Sequence, residues 1–278
     1  MSHAAEITRQ AKSNLAFALR VLPSDRRDDA VVFYAFCRVI DDLADDLGRP
    51  LAEREAGLEA WKVGLVDGFA EPNALQQQMM AMRERREIPA DLLVAVIDGC
   101  LMDLHPQRFG NWEDLSQYTW KVACAVGLVS LRIFGARDPQ TEAYAVALGH
   151  ALQLTNILRD VGEDLANGGR IYLPLADLAR FQYDERDLFG RVHDGRFMAL
   201  MAYQADRAER FYDDAKRFLP AGDARAMLPA EVMRKIYSKL LTRMRRDGFR
   251  VFDRRYRVSK ARKMAILSKE LMRSRLGG

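Results

Sequence analysis

The chain has 278 residues, 49% hydrophobic and 29% charged, with a formal net charge of +4. That is enough apolar mass for a sizeable core, and the chain reads as globular rather than low-complexity. The nine prolines and eighteen glycines are scattered without a linker, a fixed-period repeat or a composition break, so one domain over 1–278 is expected.

The N-terminal stretch "MSHAAEITRQAKSNLAF" has no continuous apolar run, and no later window approaches the roughly 20 apolar residues that span a bilayer. A cytosolic protein is expected. Apolar residues then recur at helical spacing in "AVVFYAFCRVIDDLA", "LLVAVIDGCLMDL", "YTWKVACAVGLVSLRIFG", "TEAYAVALGHALQLTNILRDVGEDLA", "FMALMAYQADRAERFYDDAKRFL" and "EVMRKIYSKLLTRMRRDGF". Breakers such as "LPSD", "EIPAD", "HPQRFGN", "FGARDPQ", "NGGRIYLP", "LPAGDA" and "MLPAE" fall between these runs, which predicts an all-α bundle of long helices and short loops. Cys37, Cys100 and Cys124 lack metal-ligand spacing and read as buried reduced thiols. His3, His105, His150 and His193 form no cluster. The C-terminal stretch "RRDGFRVFDRRYRVSKARKMAILSKELMRSR" is strongly basic and carries Phe249, Phe252, Tyr256 and Met264; nucleic acid, a phosphorylated substrate or an anionic membrane would each suit it.

The chemistry concentrates in two acidic stretches. In "YAFCRVIDDLADD", Tyr34, Arg38, Asp41 and Asp45 fall at steps of four, three and four and share one helix face. In "LQLTNILRDVGEDLANGGRIYLP", Gln153, Asn156, Asp160 and Asp164 line a stripe, with Arg159 and Glu163 beside it. One DxxxD is usually a solvated face. Two, each following a long apolar run and each with an arginine just before its first aspartate, point instead to hard oxygen ligands for Mg²⁺, with coordination sites left for water and substrate phosphates. The basic C-terminus would then hold phosphate from the other side. A nucleic-acid-binding module, the competing reading, gains nothing from paired carboxylate stripes.

These stretches, with "YTWKVACAVG", "GRIYLP" and "VFDRRYRVSKARK", resemble the squalene and phytoene synthase family over nearly the whole chain. The resemblance implies an all-α isoprenoid synthase fold in which two prenyl diphosphates are joined head to head through a cyclopropyl diphosphate. Its motif positions make Asp41, Asp45, Asp160 and Asp164 magnesium ligands, supported by Asp42 and Glu163. Arg38, Gln153, Asn156, Arg159, Arg170, Tyr172, Tyr237 and Arg254 would contact diphosphate or metal, with Tyr34 on the same acidic face. Tyr118 would stand near the reacting carbons, and Asp103 matches a further acidic position. The chain departs from the pattern at "KSNLAFAL", where Lys12, Ser13 or Asn14 would supply a phosphate contact, and at Lys121 and Cys124, where small residues are common.

Ionising an allylic diphosphate requires charge stabilised on the leaving group and a cation sheltered by apolar and aromatic walls, for which Phe17, Phe33, Tyr118 and Trp120 are candidates. If Tyr118 and Trp120 face the cavity with Leu15, Phe17 and Phe33, they would shorten it. This favours farnesyl diphosphate as substrate and squalene or dehydrosqualene as product. Phytoene from geranylgeranyl diphosphate and arrest at the cyclopropyl diphosphate are the alternatives, and a cyclising or head-to-tail prenyl enzyme is the runner-up within the fold class. No G-x-G-x-x-G loop is present, but members of the family that use NADPH do so without one, so that cofactor stays open. The apolar product and the cationic C-terminal helix imply peripheral membrane association. Oligomeric state is not readable.

Overall fold

The computed structural model describes residues 18–105 and 107–276. The candidate phosphate contacts Lys12, Ser13 and Asn14 lie outside the described residues, as do His3, Leu15 and Phe17. Twelve α-helices and no strand occur among the described residues: α1 (Ser24–Asp45), α2 (Leu51–Asp67), α3 (Ala74–Arg85), α4 (Ala90–Leu104), α5 (Trp112–Thr119), α6 (Ala125–Phe134), α7 (Thr141–Ala166), α8 (Leu175–Arg180), α9 (Glu185–Phe189), α10 (Gly195–Phe218), α11 (Leu228–Arg246) and α12 (Lys260–Leu276). The expected all-α class is the one observed.

The breakers do what their chemistry allows. Pro23, Pro50, Pro89 and Pro174 stand immediately before α1, α2, α4 and α8. Asn73, Asn111 and Asp184 close capping boxes at α3, α5 and α9, each side chain taking the N–H three residues on. Helices α2 and α3 were not evident from periodicity. In α2, buried Leu58, Trp61 and Leu65 alternate with exposed Val63 and Val66, and α3 opens with a polar "LQQQ" run. The stretch read as one helix from Tyr118 to Gly135 is interrupted by a π-helical turn, Trp120–Cys124.

Helix α7 is the central member, packed against α5, the π turn, α6, α10 and α11. Helix α1 lies across from it, against α2, α3, α4 and α6. One buried apolar cluster includes residues from Leu19 to Tyr256. A smaller one, with Ala18, Val232, Met233, Ile236, Ile266 and Leu267, seats α12 on α11. None of the three cysteines is in a disulfide; Cys100 and Cys124 are buried and Cys37 half-buried.

His150 sits inside this packing, its Nδ1 2.8 Å from Thr119 Oγ1 and its ring against Trp112 and Phe211. Burial holds its pKa down to about 4. The unfolded chain takes up a proton near pH 6.5 and the folded chain does not until about 4, so this group withdraws stability as pH falls through that window. We expect the stability difference between the protein and a His150→Asn variant to shrink by about 3 kcal/mol between pH 6.5 and 4, measured by urea unfolding. A pH-independent difference would show that the ring is not held neutral.

Candidate active site

On α1, residues Ala30, Phe33, Tyr34, Cys37, Asp41 and Asp45 follow helical spacing and line one wall of a cavity of about 520 Å³. The wall is apolar at its N-terminal end and acidic at its C-terminal end. Asp41 opens onto the cavity yet lies deep within the bundle. Its carboxylate is accessible from the cavity, and its burial is depth within the bundle. Burial, and then the charges of Asp45 and Asp103, push its carboxyl up to about 6 against the pull of Arg38. The Cys100 thiol stands 3.6 Å from Asp41 Oδ1. Arg38 itself is exposed and pairs with exposed Asp42; it is near enough to Asp41 to act on its carboxyl but is not one of the lining residues.

The facing wall belongs to α7, from which Leu152, Gln153, Asn156, Arg159 and Asp160 reach the cavity. Asn156 Nδ2 donates to Gln153 Oε1 at 3.3 Å, which leaves Asn156 Oδ1 buried without a partner. Arg159 Nε donates to Asp160 Oδ1 at 2.7 Å. Burial works against the Arg159 charge, but Asp160 outweighs it and raises the guanidinium's basicity. One turn on, Asp164 faces Arg170 and Tyr172 beside a small neighbouring space. Burial and the charge of Asp160 push it up to about 8.

Past α7, Gly168 and Gly169 adopt φ of 77° and 69°, a left-handed pair that non-glycine residues adopt only at a cost. The chain doubles back there. Arg170 then donates from Nη1 to Asp45 Oδ1 and from Nη2 to the Asp103 carbonyl, both at 3.1 Å, tying the end of α1 to the end of α4. Asp103 accepts from Tyr172 at 2.7 Å and from Tyr118 at 2.9 Å. The two phenol rings stack with centroids 5.2 Å apart, beside Phe109. Burial raises the Asp103 pKa although both phenols and Arg170 oppose the shift. It raises Tyr118 well above its usual range as well, with Asp103 adding to the effect.

The basic side comes from the segment after α11. A Cβ on Gly162 would lie 2.6 Å from the Val251 carbonyl, so only glycine lets this segment press against α7. Arg255 thereby reaches Glu163 Oε2 at 3.1 Å and Asp160 Oδ1 at 3.9 Å. Arg254, the expected contact, pairs instead with Asp247 at 3.1 Å; the two adjacent arginines are directed to different partners by the packing of the segment. From α11, Met233 and Tyr237 complete the wall. Of the expected residues, Tyr34, Asp41, Asp45, Tyr118, Gln153, Asn156, Arg159, Asp160 and Tyr237 therefore line the cavity, Asp164, Arg170 and Tyr172 stand beside it, and Arg38 and Arg254 are not in the lining and pair with Asp42 and Asp247 instead. Trp120 is also turned to the surface, while the π turn directs Val122 and Ala123 inward. Cys124 turns from the cavity to the Val146 carbonyl.

Among the described residues no three His, Cys, Asp or Glu side chains converge to enclose an ion by themselves. The donors fit Mg²⁺ of the kind that takes one or two carboxylates and completes its shell with water and phosphate oxygens. Asp41 and Asp45 on one wall, Asp160 and the unpartnered Asn156 Oδ1 on the other, would hold it.

Two facing carboxylate helices at one end of an apolar, all-helical cavity define the isoprenoid synthase fold. Residues 8–262 match the family model described as squalene/phytoene synthase, and the chain belongs to that family: it is a prenyltransferase of the head-to-head type. It is 33% identical to the 15-cis-phytoene synthase of Synechocystis sp., covering 98% of this chain and 84% of the relative. It is 34% identical to the phytoene synthase of Mycobacterium tuberculosis, covering 96% and 89%. Among solved structures, a dehydrosqualene synthase superposes with a TM-score of 0.85 at 26% identity, covering 98% of this chain and 95% of that one. The squalene synthase HpnC of Alicyclobacillus acidocaldarius gives 0.79 at 27%, covering 88% and 93%.

The two neighbouring arginines make a direct test. We expect Arg255→Gln to lower kcat/KM by about 100-fold, the scale of one lost charge-assisted contact to a developing anion. Arg254→Gln, which removes only an exposed pair, should change it by less than about 3-fold. Equal losses in steady-state kinetics would remove the distinction.

Proposed function

We propose that the enzyme condenses two molecules of geranylgeranyl diphosphate to phytoene, through the cyclopropyl diphosphate, in a reaction that needs Mg²⁺ and no reductant. The observation that carries this reading is that phytoene synthases are similar to the chain over nearly its full length. The cavity supports it. Its lining runs along α1 from Asp45 to Ala30, about 22 Å at 1.5 Å per residue, so a long tail can lie along the helix. The expectation of farnesyl diphosphate leaned partly on Trp120 shortening the cavity, and Trp120 is exposed instead.

In this reading Arg159, Arg255, Arg170 and Tyr237 hold the diphosphates at the acidic end. The divalent ions, when bound, neutralise the leaving group as its bond to carbon breaks. Tyr118 and Tyr34 stand at the junction of the polar and apolar zones, and Phe33, Val96, Val122 and Val126 keep water from the cation. Asp103 fixes both phenols through its two oxygens, so their orientation does not depend on substrate. The atoms balance without a reductant: each substrate gives up a diphosphate, the ring-forming step releases one proton and the final cation releases another. A single domain is supported by the main core cluster, which draws on residues from Leu19 to Tyr256 among those described. Reduced, buried thiols suit a cytoplasmic setting.

Purified enzyme incubated with Mg²⁺ and either geranylgeranyl or farnesyl diphosphate, with and without NADPH, should yield phytoene from the former at a rate indifferent to NADPH, identified by mass. Squalene formed from farnesyl diphosphate only when NADPH is supplied would overturn the reading. Chelation of the metal should abolish turnover, as should Asp41→Asn or Asp160→Asn with the helical circular dichroism unchanged.

Ala30 closes the apolar end of the α1 wall, and Ala30→Phe should lower the preference for geranylgeranyl over farnesyl diphosphate, as a ratio of kcat/KM, by about 10-fold or more. An unchanged ratio would place the tail elsewhere.

A further inference from the structure

Between α11 and the start of α12 runs a groove of about 940 Å³, away from the catalytic cavity, lined by Lys239, Arg243, Arg246, Arg254 and Arg262 against the single acid Asp247. Asp247 is already engaged by Arg254 and by the Tyr256 hydroxyl. Lys239, Arg246 and Arg262 are exposed and have no ion-pair partner among the described residues. The imbalance extends along the chain. From Lys239 to Arg273 there are thirteen Lys and Arg against three acids, a net +10 in a protein of net +4, so the rest of the molecule carries −6. Burial, and then neighbouring Lys260, lowers the pKa of the Lys263 ammonium.

The groove borders an unusual helix face. α12 buries Ile266, Leu267 and Glu270 against α11, and on its outer side Met264 and Met272 are 49% and 58% exposed. At 100° per residue these methionines lie within the same outward sector as Ala261, Ala265 and Ser268, with Arg262, Lys269 and Arg273 along one edge and Lys260 along the other. A cation-flanked apolar face lying parallel to the surface is the pattern of a helix that rests in a bilayer interface. Among the described residues no helix is long and apolar enough to cross a membrane.

We propose that the α11–α12 groove and the outer face of α12 form a docking surface for an anionic phospholipid bilayer, with the arginines and lysines on headgroup phosphates and Met264 and Met272 at the acyl boundary. The exposed methionines favour a bilayer over a nucleic acid, which offers thioether side chains nothing on a phosphate backbone. This proposal rests on the surface alone and is independent of which prenyl diphosphate is the substrate.

The test is sedimentation of the full-length protein with vesicles of phosphatidylcholine, with or without phosphatidylglycerol. Binding is expected only when phosphatidylglycerol is present, and release at roughly 1 M salt, where screening acts within about 3 Å. The triple variant Lys239→Glu, Arg246→Glu, Arg262→Glu should lose at least about 100-fold in partitioning, from about 5-fold per lost cation. It should keep its turnover on detergent-dispersed substrate. Met264→Ser with Met272→Ser should lose about 10-fold while keeping the salt dependence. Equal binding to uncharged vesicles, undiminished binding by the triple variant, or displacement from vesicles by stoichiometric duplex RNA would each overturn the proposal, the last in favour of a nucleic-acid surface.

Discussion

The structure depends on how a helical bundle tolerates crowded carboxylates. Asp41, Asp45, Asp103, Asp160 and Asp164 gather at one end of the bundle, each close enough to perturb another. Arg159, Arg170 and Arg255 reach into this group but do not balance it. The displacement of Asp164 from 3.8 to about 8 amounts to several kcal/mol. A purely structural protein would have no use for such a group of acids where burial opposes their charge. A site that receives a diphosphate with its divalent counterions does, because the added cations turn repulsion into attraction.

The rest of the fold holds that arrangement in place. α7 carries one acidic stripe and, as the most extensively packed helix, cannot shift without disturbing α10, α11 and the π turn. Gly162 admits the basic segment to within contact of α7, and the left-handed pair Gly168–Gly169 returns Arg170 and Tyr172 toward α1 and α4. The π turn adds a residue to the helix after Tyr118, and from it Val122 and Ala123 face the cavity while Trp120 is exposed. Charge chemistry at one end and apolar walls along the remainder then follow from one helix face, since α1 alone passes from Asp45 to Ala30 within the lining.

What the sequence revealed follows the reach of helical periodicity. Steps of three and four placed Tyr34, Asp41 and Asp45 on one face, and Gln153, Asn156 and Asp160 on another, because those relations are local to one helix. The same rule put Arg38 beside Asp41, whose carboxyl it does pull down, but did not reveal its pairing with Asp42. Relations between elements were not legible. Arg254 and Arg255 are indistinguishable until the segment is packed, and the outward turn of Trp120 depends on a π turn that no periodicity signals. The orienting role of Asp103 appears only when Tyr118 and Tyr172, 54 positions apart in the chain, converge on its two oxygens. Helix α2 escaped notice because Val63 and Val66 are exposed, blurring its apolar stripe.

The central claim is that the two aspartate helices bind diphosphate through divalent metal. Calorimetric titration with a non-ionising thiolo analogue of geranylgeranyl diphosphate tests it without the complication of turnover. Binding should strengthen by at least about 100-fold when Mg²⁺ is added, equivalent to roughly 3 kcal/mol, and Asp41→Asn or Asp160→Asn should abolish that gain. An affinity equal with and without Mg²⁺ would contradict the account.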